Sequence, residues 1–241
     1  MIVNVKQAEI FPDEAIVLAG GLGKRLRSLV PELPKPMAPV AGRPFLARLL
    51  GWLARQGVRR VILSVGYRRE VIMEGFGARF QGMELDYAVE EEPLGTAGGI
   101  RLGLARVRGS EAFLLNGDTW FDVPLARLVA CRVRQGAEVT MAVKPMADCG
   151  RYGAVSLDDN GRVTGFREKG VGGPGRINGG VFLISTALRE ALTGCFSFES
   201  DYLQARIATL HVAAVVSDGD FIDIGVPEDY LAAQTLLAER E

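Results

Sequence analysis

Short apolar runs alternate with amphipathic segments along most of the chain, and glycine or proline usually lies between them. The run AIVLA at 15–19 predicts a buried first strand that ends in glycines. Residues 44–56 place Phe45, Leu46, Leu49, Leu50 and Leu53 on one face, which predicts a helix that begins at a proline. This alternation predicts an α/β fold whose mostly parallel sheet has helices on both faces.

The same patterns place the other elements. Further strands are predicted over 58–65, 85–90, 112–115, 139–143, 177–184 and 212–216, and further helices over 69–76, 97–107, 125–134, 201–209 and from 227 to the C-terminus. Residues 154–157 and 162–167 predict a hairpin with a tight turn at Asn160-Gly161. Because no repeat or linker interrupts the pattern, we expect one domain over residues 1–241, with 1–13 as an N-terminal extension.

Charge and cysteine content narrow the classes of protein. The chain has 28 Lys and Arg against 29 Asp and Glu, a balance that argues against a nucleic-acid partner, which would need a basic excess. The three cysteines, Cys131, Cys149 and Cys195, fit neither a disulfide framework nor a zinc motif. We therefore expect a reducing compartment.

The sequence contains no targeting or membrane signal that we recognise. The first residues, MIVNVKQAEIFPDE, lack the charged-then-apolar pattern of a signal peptide. No apolar run approaches the ~20 residues that span a bilayer. We expect a cytoplasmic protein without a membrane partner.

The single histidine, His211, lies in the apolar run LHVAAVV and is predicted to be structural. Zinc sites and Ser-His-Asp catalysis are therefore not expected. Any chemistry must depend on Asp, Glu, Lys, Arg and backbone groups.

A glycine-rich loop, AGGLGKRLRSL, directly follows the first predicted strand, where open α/β sheets bind ligands. Its backbone N–H groups could approach phosphate oxygens, although a tight connection would explain the glycines equally well. It is not a Walker A loop, which needs GxxxxGK and a hydroxyl residue. The dinucleotide motif GxGxxG also fails, because Leu26 stands where the third glycine would follow Gly21 and Gly23.

The segment LPKPMAPVAGRPFL comes next and restricts Lys35 between Pro34 and Pro36. Arg25 and Lys35 could supply two cations to a triphosphate. Together the two segments resemble the signature of the sugar-1-phosphate nucleotidyltransferases, and within them most resemble the D-glycero-α-D-manno-heptose 1-phosphate guanylyltransferases. The family usually has GGxGTRL, whereas here Lys24 replaces the threonine and Arg25 is kept.

The resemblance extends over nearly the whole chain, because five later motifs follow in the family's order: EPLGTAGGI (92–100), NGD (116–118), FREK (166–169), INGGVF (177–182) and FIDIGVPEDY (221–230). It implies a Rossmann-like, GT-A-like nucleotidyltransferase domain with a mostly parallel mixed sheet and a small sugar-side β lobe. Residues 14–145 would mainly bind the nucleotide, and 146–241 mainly the sugar phosphate.

The resemblance implies that a sugar 1-phosphate attacks the α-phosphorus of a nucleoside triphosphate and displaces pyrophosphate. The attacking oxygen is already anionic, so the reaction needs positioned cations and no general base. Asp118 and Asp223 would ligate Mg²⁺, which prefers oxygen ligands. Alternatively, Asp118 caps a turn and Asp223 accepts backbone N–H bonds.

The resemblance also implies the roles of individual residues. Arg25, Lys35 and Asp118 would be catalytic. The nucleotide would be bound by Leu18, Ala19, Gly20, Gly21, Gly23, Glu92, Gly95, Thr96 and Ala97. The sugar phosphate would be bound by Gly117, Gly153, Glu168, Lys169 and Asn178. Glu199 and Asp201 could be sugar-side acids or helix-start residues.

The base and the sugar are the least determined features. The carboxylate of Glu92 could accept hydrogen bonds from the N1–H and N2–H₂ edge of guanine, which favours GTP; an exposed acid is the alternative. Mannose 1-phosphate with GTP, or another sugar with UTP or dTTP, also remains open. So does a regulatory subunit without catalysis, although Arg25, Lys35, Asp118 and Asp223 are all present. A homo-oligomer is possible.

Overall fold

The computed structural model describes residues 11–167 and 169–238, without the side chain of Lys24. Most of the predicted N-terminal extension and the predicted sugar-phosphate residue Glu168 therefore lie outside the described residues. The strands in chain order are β1 (Glu14–Leu18), β2 (Pro39–Val40), β3 (Arg43–Pro44), β4 (Arg60–Val65), β5 (Arg79–Phe80), β6 (Met83–Val89), β7 (Glu111–Asn116), β8 (Thr119–Phe121), β9 (Val139–Met146), β10 (Ala154–Leu157), β11 (Val163–Arg167), β12 (Gly175–Ser185), β13 (Val212–Val216) and β14 (Phe221–Asp223).

The α-helices of the described residues are α1 (Phe45–Arg55), α2 (Arg69–Phe76), α3 (Gly95–Leu104), α4 (Leu125–Gln135) and α5 (Pro227–Leu236). Short 3₁₀ turns cover Lys24–Leu26, Lys35–Met37 and Thr186–Glu190, and a π-helix covers Phe198–Gln204.

Eight strands form the main sheet, in the order β13-β9-β12-β7-β1-β4-β6-β5. The pairs β1–β4, β1–β7, β4–β6 and β9–β13 are parallel. Strand β12 runs antiparallel to both β7 and β9, and β5 runs antiparallel to β6. The predicted α/β fold with a mostly parallel mixed sheet is therefore confirmed.

Alternating side chains of β1 pack into two separate hydrophobic layers. Val17 lies in one cluster with Leu49 of α1, and Ile16 lies in the other with Ile100 of α3. Each of these side chains is at most 1% exposed. Burying a side chain of this size contributes roughly 1.5–3 kcal/mol. The continuous apolar sequence of β1 thus reflects helices on both faces of the sheet.

The hairpin β10–β11 forms as predicted, but the turn predicted at Asn160-Gly161 begins earlier, at Asp158. Gly161 has φ 80° and donates its N–H to the Asp158 carbonyl at 3.1 Å, whereas Asn160 does not adopt a positive φ. The Asp158 carboxylate accepts from the backbone N–H groups of Asn160 and Arg162, both at 2.9 Å. This aspartate organises a longer turn in which only the glycine is left-handed.

The helix predicted over 201–209 is also shifted, because the helical segment begins at Phe198 as a π-helix. Ser197 caps it: the Ser197 hydroxyl accepts from the Ser200 N–H at 3.2 Å, and the Asp201 carboxylate accepts from the Ser197 N–H at 2.8 Å. Of the two interpretations left open for Asp201, the structure thus shows the helix-start one.

His211 is half-buried and directly precedes β13. Its backbone N–H donates to the Glu138 carboxylate at 3.1 Å. Because β13 is parallel to β9, this residue lies at the amino end of the parallel strands, opposite the site described next.

Candidate active site

A central cavity lies at the carboxyl ends of β1 and β7, with an outer cavity on one side and a lobe-side cavity, beside the β10–β11 hairpin, on the other. The central cavity measures about 400 Å³, the outer cavity about 550 Å³ and the lobe-side cavity about 250 Å³. Leu18, Gly21 and Thr96 line both the central and the outer cavity, and Glu199 lines both the central and the lobe-side cavity. The three therefore form one cleft, at the place where open α/β sheets bind ligands.

A short two-stranded ribbon outside the main sheet brings two acidic residues to this cleft. Strand β14 pairs antiparallel with β8, so that Asp223 lies opposite Thr119. The backbone N–H of Ile224 also donates to the Asp118 carbonyl at 3.0 Å. The two aspartates, far apart in sequence, consequently lie side by side.

Lys35 joins these two carboxylates. Its Nζ donates to Asp118 Oδ2 at 2.6 Å and to Asp223 Oδ1 at 3.5 Å, and its side chain is only 10% exposed. Asp223 Oδ1 also accepts the backbone N–H of Gly225 at 2.7 Å, and the Thr119 hydroxyl donates to Asp118 Oδ1 at 3.2 Å. The alternative interpretation predicts that Asp223 accepts backbone N–H bonds. It does accept one, from Gly225, in addition to its ionic contact with Lys35.

The position of Asp223 beside Asp118 disfavours the ionised form of Asp223, as its pKa shows. Burial raises the pKa of Asp223, the nearby charge of Asp118 raises it further, and the Lys35 ammonium opposes both effects. A half-buried pair of adjacent carboxylates is stabilised by a cation beside it.

Arg25 also lies beside Gly225, close to Lys35 and Asp223. A Cβ placed on Gly225 would lie 2.9 Å from Asp223 Oδ1, 3.2 Å from Lys35 Nζ and 3.4 Å from Arg25 Nη2. Three functional groups thus converge on a residue without a side chain.

Gly23, in the glycine-rich loop, serves the same assembly. It has φ 56°, and a Cβ there would lie 2.9 Å from the Cβ of Lys35. The residue is glycine because its backbone is left-handed and because the lysine stem passes over it.

Most of the other predicted site residues line the cleft. Ala19, Gly21, Gly23, Arg25, Lys35, Thr96 and Asp118 line the central cavity. Gly20, Glu92 and Gly95 line the outer cavity. Gly153, Lys169 and Asn178 line the lobe-side cavity.

Ala97 and Gly117 are placed differently, behind the wall of the cleft. Both are buried, and their backbone N–H groups donate to the carbonyls of Phe196 at 3.1 Å and Leu18 at 2.9 Å. These N–H groups are therefore already engaged, and the binding roles of the two residues stay predictions.

Thr96 and Gly95 connect α3 to the segment before the π-helix. The Thr96 hydroxyl accepts the backbone N–H of Phe198 at 2.8 Å. A Cβ on Gly95 would lie 2.6 Å from the Phe196 carbonyl oxygen, and Gly95 has φ 68°. The glycine at this position is thus required by a backbone contact as well as by its place in the outer cavity.

Three consecutive glutamates border the outer cavity and differ in their contacts. Glu90 accepts from the Ser64 hydroxyl at 3.1 Å and from the Leu94 N–H at 3.3 Å, and Glu91 pairs with Arg69 at 2.9 Å. Among the described residues no hydrogen bond or ion pair to Glu92 is formed, and this residue is exposed. Its carboxylate is available to a ligand.

Glu199 is the main acid that sequence reasoning left undecided. It lies on the cleft side of the π-helix and accepts from Asn178 Nδ2 at 2.8 Å. Desolvation raises the pKa of Glu199, and Asp118 raises it further, whereas the Lys169 charge and hydrogen bonds to Asn116 and Asn178 lower it. Glu199 thus links the lobe-side cavity to Asp118 in the central cavity.

Asn116, Ser197 and Gly225 also line the central cavity, and the sequence analysis gave them no role. Asn116 and Gly225 lie inside motifs already singled out, NGD and FIDIG. Their position in those motifs was the only available signal.

No group of three or more His, Cys, Asp or Glu side chains able to hold a metal is found within residues 11–167 and 169–238. In the same part of the chain no helix is both long and apolar enough to cross a membrane.

Comparison with known proteins agrees with this architecture. The family model described as "Nucleotidyl transferase" matches residues 14–240. The chain belongs to this nucleotidyl transferase family, as the motifs had indicated.

Individual relatives are similar over nearly their full lengths. The D-glycero-alpha-D-manno-heptose 1-phosphate guanylyltransferase of Aneurinibacillus thermoaerophilus is 45% identical over 223 residues, which cover 92% of this chain and 96% of that protein. The protein of the same description from Campylobacter jejuni is 44% identical over 219 residues, 90% of this chain and 96% of that protein. The crystal structure of HddC from Yersinia pseudotuberculosis complexed with GMP-PN superposes with a TM-score of 0.82 at 34% identity, over 93% of this chain and 99% of that chain.

Proposed function

We propose that this protein transfers the GMP group of GTP to D-glycero-α-D-manno-heptose 1-phosphate and releases pyrophosphate. The proposal is supported above all by the contact of Lys35 with both Asp118 and Asp223. Lys35 and Asp118 line the central cavity, which lies between two further cavities. The relatives described as heptose 1-phosphate guanylyltransferases suggest the two substrates.

In this reaction a phosphate oxygen of the heptose 1-phosphate forms a bond to the α-phosphorus of GTP. The bond from the α-phosphorus to the oxygen that bridges it to the β-phosphorus breaks, and pyrophosphate leaves with the electron pair. No proton needs to be removed from the attacking oxygen, which agrees with a cleft whose polar side chains are mainly carboxylates, amides and cations. Catalysis is then positioning and charge stabilisation.

Lys35 and Arg25 are proposed to bind the triphosphate. Both converge on Gly225 in the central cavity, where Arg25 is exposed and can follow the departing pyrophosphate. Gly21 offers open space there, since a Cβ on it would meet no atom within 4 Å. A phosphate chain can therefore approach the glycine-rich backbone closely.

Asp118 and Asp223 fit a Mg²⁺ ion by the chemistry of their oxygen donors. Magnesium is commonly held by one or two carboxylates together with waters and substrate phosphates, so two acids suffice. Bound there, Mg²⁺ would neutralise phosphate charge and orient the reacting groups. The described residues contribute the two carboxylates, and Thr119 orients one of them through its hydroxyl.

The sugar phosphate is proposed to occupy the lobe-side cavity. Lys169 supplies a cation, and the hydrogen-bonded pair Asn178 and Glu199 supplies a donor and an acceptor for hydroxyl groups. Because Glu199 lines both this cavity and the central cavity, the bound sugar phosphate and the nucleotide would lie next to each other.

The base is proposed to lie in the outer cavity beside Glu92. This exposed carboxylate can accept both N–H groups of the guanine edge, and neither uracil nor thymine presents that pair of donors. We further propose a cytoplasmic location, where nucleoside triphosphates are made.

Pyrophosphate release by the purified protein tests the proposal. Each of GTP, UTP and dTTP should be combined with heptose 1-phosphate and with mannose 1-phosphate in the presence of Mg²⁺. GTP with heptose 1-phosphate should give the highest kcat/KM. Absence of pyrophosphate from every combination contradicts nucleotidyl transfer, and a higher kcat/KM with mannose 1-phosphate contradicts the choice of sugar.

A further inference from the structure

The amine of Lys35 takes the position that a metal shared by the two aspartates would need. It donates to one oxygen of Asp118 at 2.6 Å and approaches one oxygen of Asp223 at 3.5 Å. The side chains of the two aspartates are 37% and 29% exposed, against 10% for the lysine. The cation is thus the most enclosed member of the group.

The lysine stem is held in this position by its surroundings. Pro34 and Pro36 restrict its backbone, and Gly23 packs against its Cβ. Across the cleft, Nζ lies beside Gly225, at 3.2 Å from where a Cβ would be. The amine is therefore directed at the carboxylates by packing on two sides, and the contact is not a chance surface pair.

Two cations that share the same carboxylate oxygens oppose each other's binding. Mg²⁺ and an ammonium group both need direct contact with oxygen, and they repel each other at contact distance. In the ligand-free protein the lysine satisfies the repelling carboxylates. A metal that arrived alone would have to displace it and leave a positive charge unpaired in an enclosed site.

We propose that Lys35 is a placeholder cation, which holds Asp118 and Asp223 together in the free enzyme and moves to a nucleotide phosphate when metal and nucleotide enter together. This inference builds on the proposed function, because a triphosphate gives the displaced amine its new partner. It follows that free metal binds weakly, and that metal and nucleotide favour each other's binding.

Metal binding in the absence of both substrates tests the placeholder role. The probe is Mn²⁺ alone, titrated into the full-length protein and followed by the electron paramagnetic resonance signal of the free ion. Lys35→Met removes the charge at nearly constant length and should tighten Mn²⁺ binding by on the order of ten-fold, within the usual range for coupled sites. Lys35→Gln, which keeps a hydrogen-bond donor, should tighten it in the same direction.

Two further variants test whether the gain in Mn²⁺ affinity comes from the carboxylate pair. Lys144→Met removes a lysine whose amine donates to the Asp218 carbonyl at 2.8 Å, away from the carboxylate pair, and should leave Mn²⁺ affinity at the wild-type value. The double variant Lys35→Met with Asp118→Asn should lose the gain, because one of the two metal-binding carboxylates is gone.

Unchanged or weaker Mn²⁺ binding in both Lys35 variants, at wild-type melting temperature, overturns the inference. So does a gain that persists in the double variant. These outcomes are separate from the proposed function: wild-type protein that releases pyrophosphate while the Lys35 variants gain no Mn²⁺ affinity retains the activity and loses the placeholder. If the Lys35 variants gain Mn²⁺ affinity but the wild-type protein releases no pyrophosphate, the placeholder role is retained and the proposed activity is lost.

Discussion

The backbone N–H of Ile224 donates a hydrogen bond to the backbone carbonyl of Asp118, with 3.0 Å between nitrogen and oxygen. This bond continues the pairing of β8 with β14 and places Asp223 next to Asp118. The position of each acid is therefore set by the backbone, and a side-chain substitution at either one should leave the ribbon in place.

Asp118→Asn should lower kcat for pyrophosphate release by at least about 100-fold, the order of magnitude found when one group that stabilises developing transition-state charge is removed. Asparagine keeps the size and one oxygen, so the melting temperature should change little. The matched control is Asp159→Asn in the exposed hairpin turn, which should keep wild-type activity. A variant at position 118 that retains more than a tenth of the wild-type rate would show that this acid is not catalytic.

Gly225→Ala should reduce kcat/KM by on the order of 100-fold, because a small displacement of reacting groups has effects of that size. The new methyl group would lie 2.9 Å from Asp223 Oδ1 and would move this flexible carboxylate, and the Lys35 amine with it. Gly165→Ala is the control, since no atom lies within 4 Å of a Cβ there. Equal activities of the two variants in steady-state assays would show that Gly225 is not needed for this close approach.

Glu199→Gln should make the protein more stable than wild type at neutral pH and equally stable in acid. Glu199 is exposed at the cleft surface, but the cleft around its carboxylate still desolvates it and raises its pKa above 4.5 on folding, so the folded state binds more protons than the unfolded state. Stability contributed by this group is complete below pH 4.5 and is lost as the pH rises through the raised pKa. Glutamine cannot ionise and avoids that loss, while its oxygen still accepts from Asn178.

Melting temperatures measured from acid to neutral pH test whether the Glu199→Gln variant becomes the more stable protein as the pH rises. The difference between the Glu199→Gln variant and wild type should open as the pH rises. The exposed Glu74 on α2 is the control, where the same substitution should give a wild-type profile. A wild-type protein that melts above the Glu199→Gln variant at neutral pH would reverse the expected sign.

Glu92→Gln should reduce the preference for GTP over UTP by roughly ten-fold, the value of one hydrogen bond to a charged acceptor. The ratio of the two kcat/KM values is the measurement. Glu91→Gln is the control, because the carboxylate of that neighbour is already paired with Arg69. An unchanged ratio at position 92 means that the base is recognised by other groups.

The sheet and its flanking helices could be predicted because each depends on a local pattern. The apolar run of β1 and the stripe of α1 show their burial directly in the sequence. The glycine-rich loop and the two aspartates could be assigned to one edge of the sheet, since strand ends and motif order were visible.

Features made by short or distant pairings could not be predicted. The ribbon strands β8 and β14 have three residues each, too few to show an alternation, and they pair across a long stretch of chain. The contact of Lys35 with Asp223 spans 188 residues. The backbone N–H groups of Ala97 and Gly117 donate to the carbonyls of Phe196 and Leu18, and no sequence motif specifies these contacts.

The close packing of Gly23 on Lys35 couples the glycine-rich loop to the segment LPKPMAPVAGRPFL, so that a change in one alters the geometry of the other. Any larger residue in the glycine-rich loop at this point would push the lysine stem outward and pull its amine away from the acids, although every charged group would still be present. Among relatives that have become inactive, a bulky residue at position 23 should therefore be as informative as a missing aspartate.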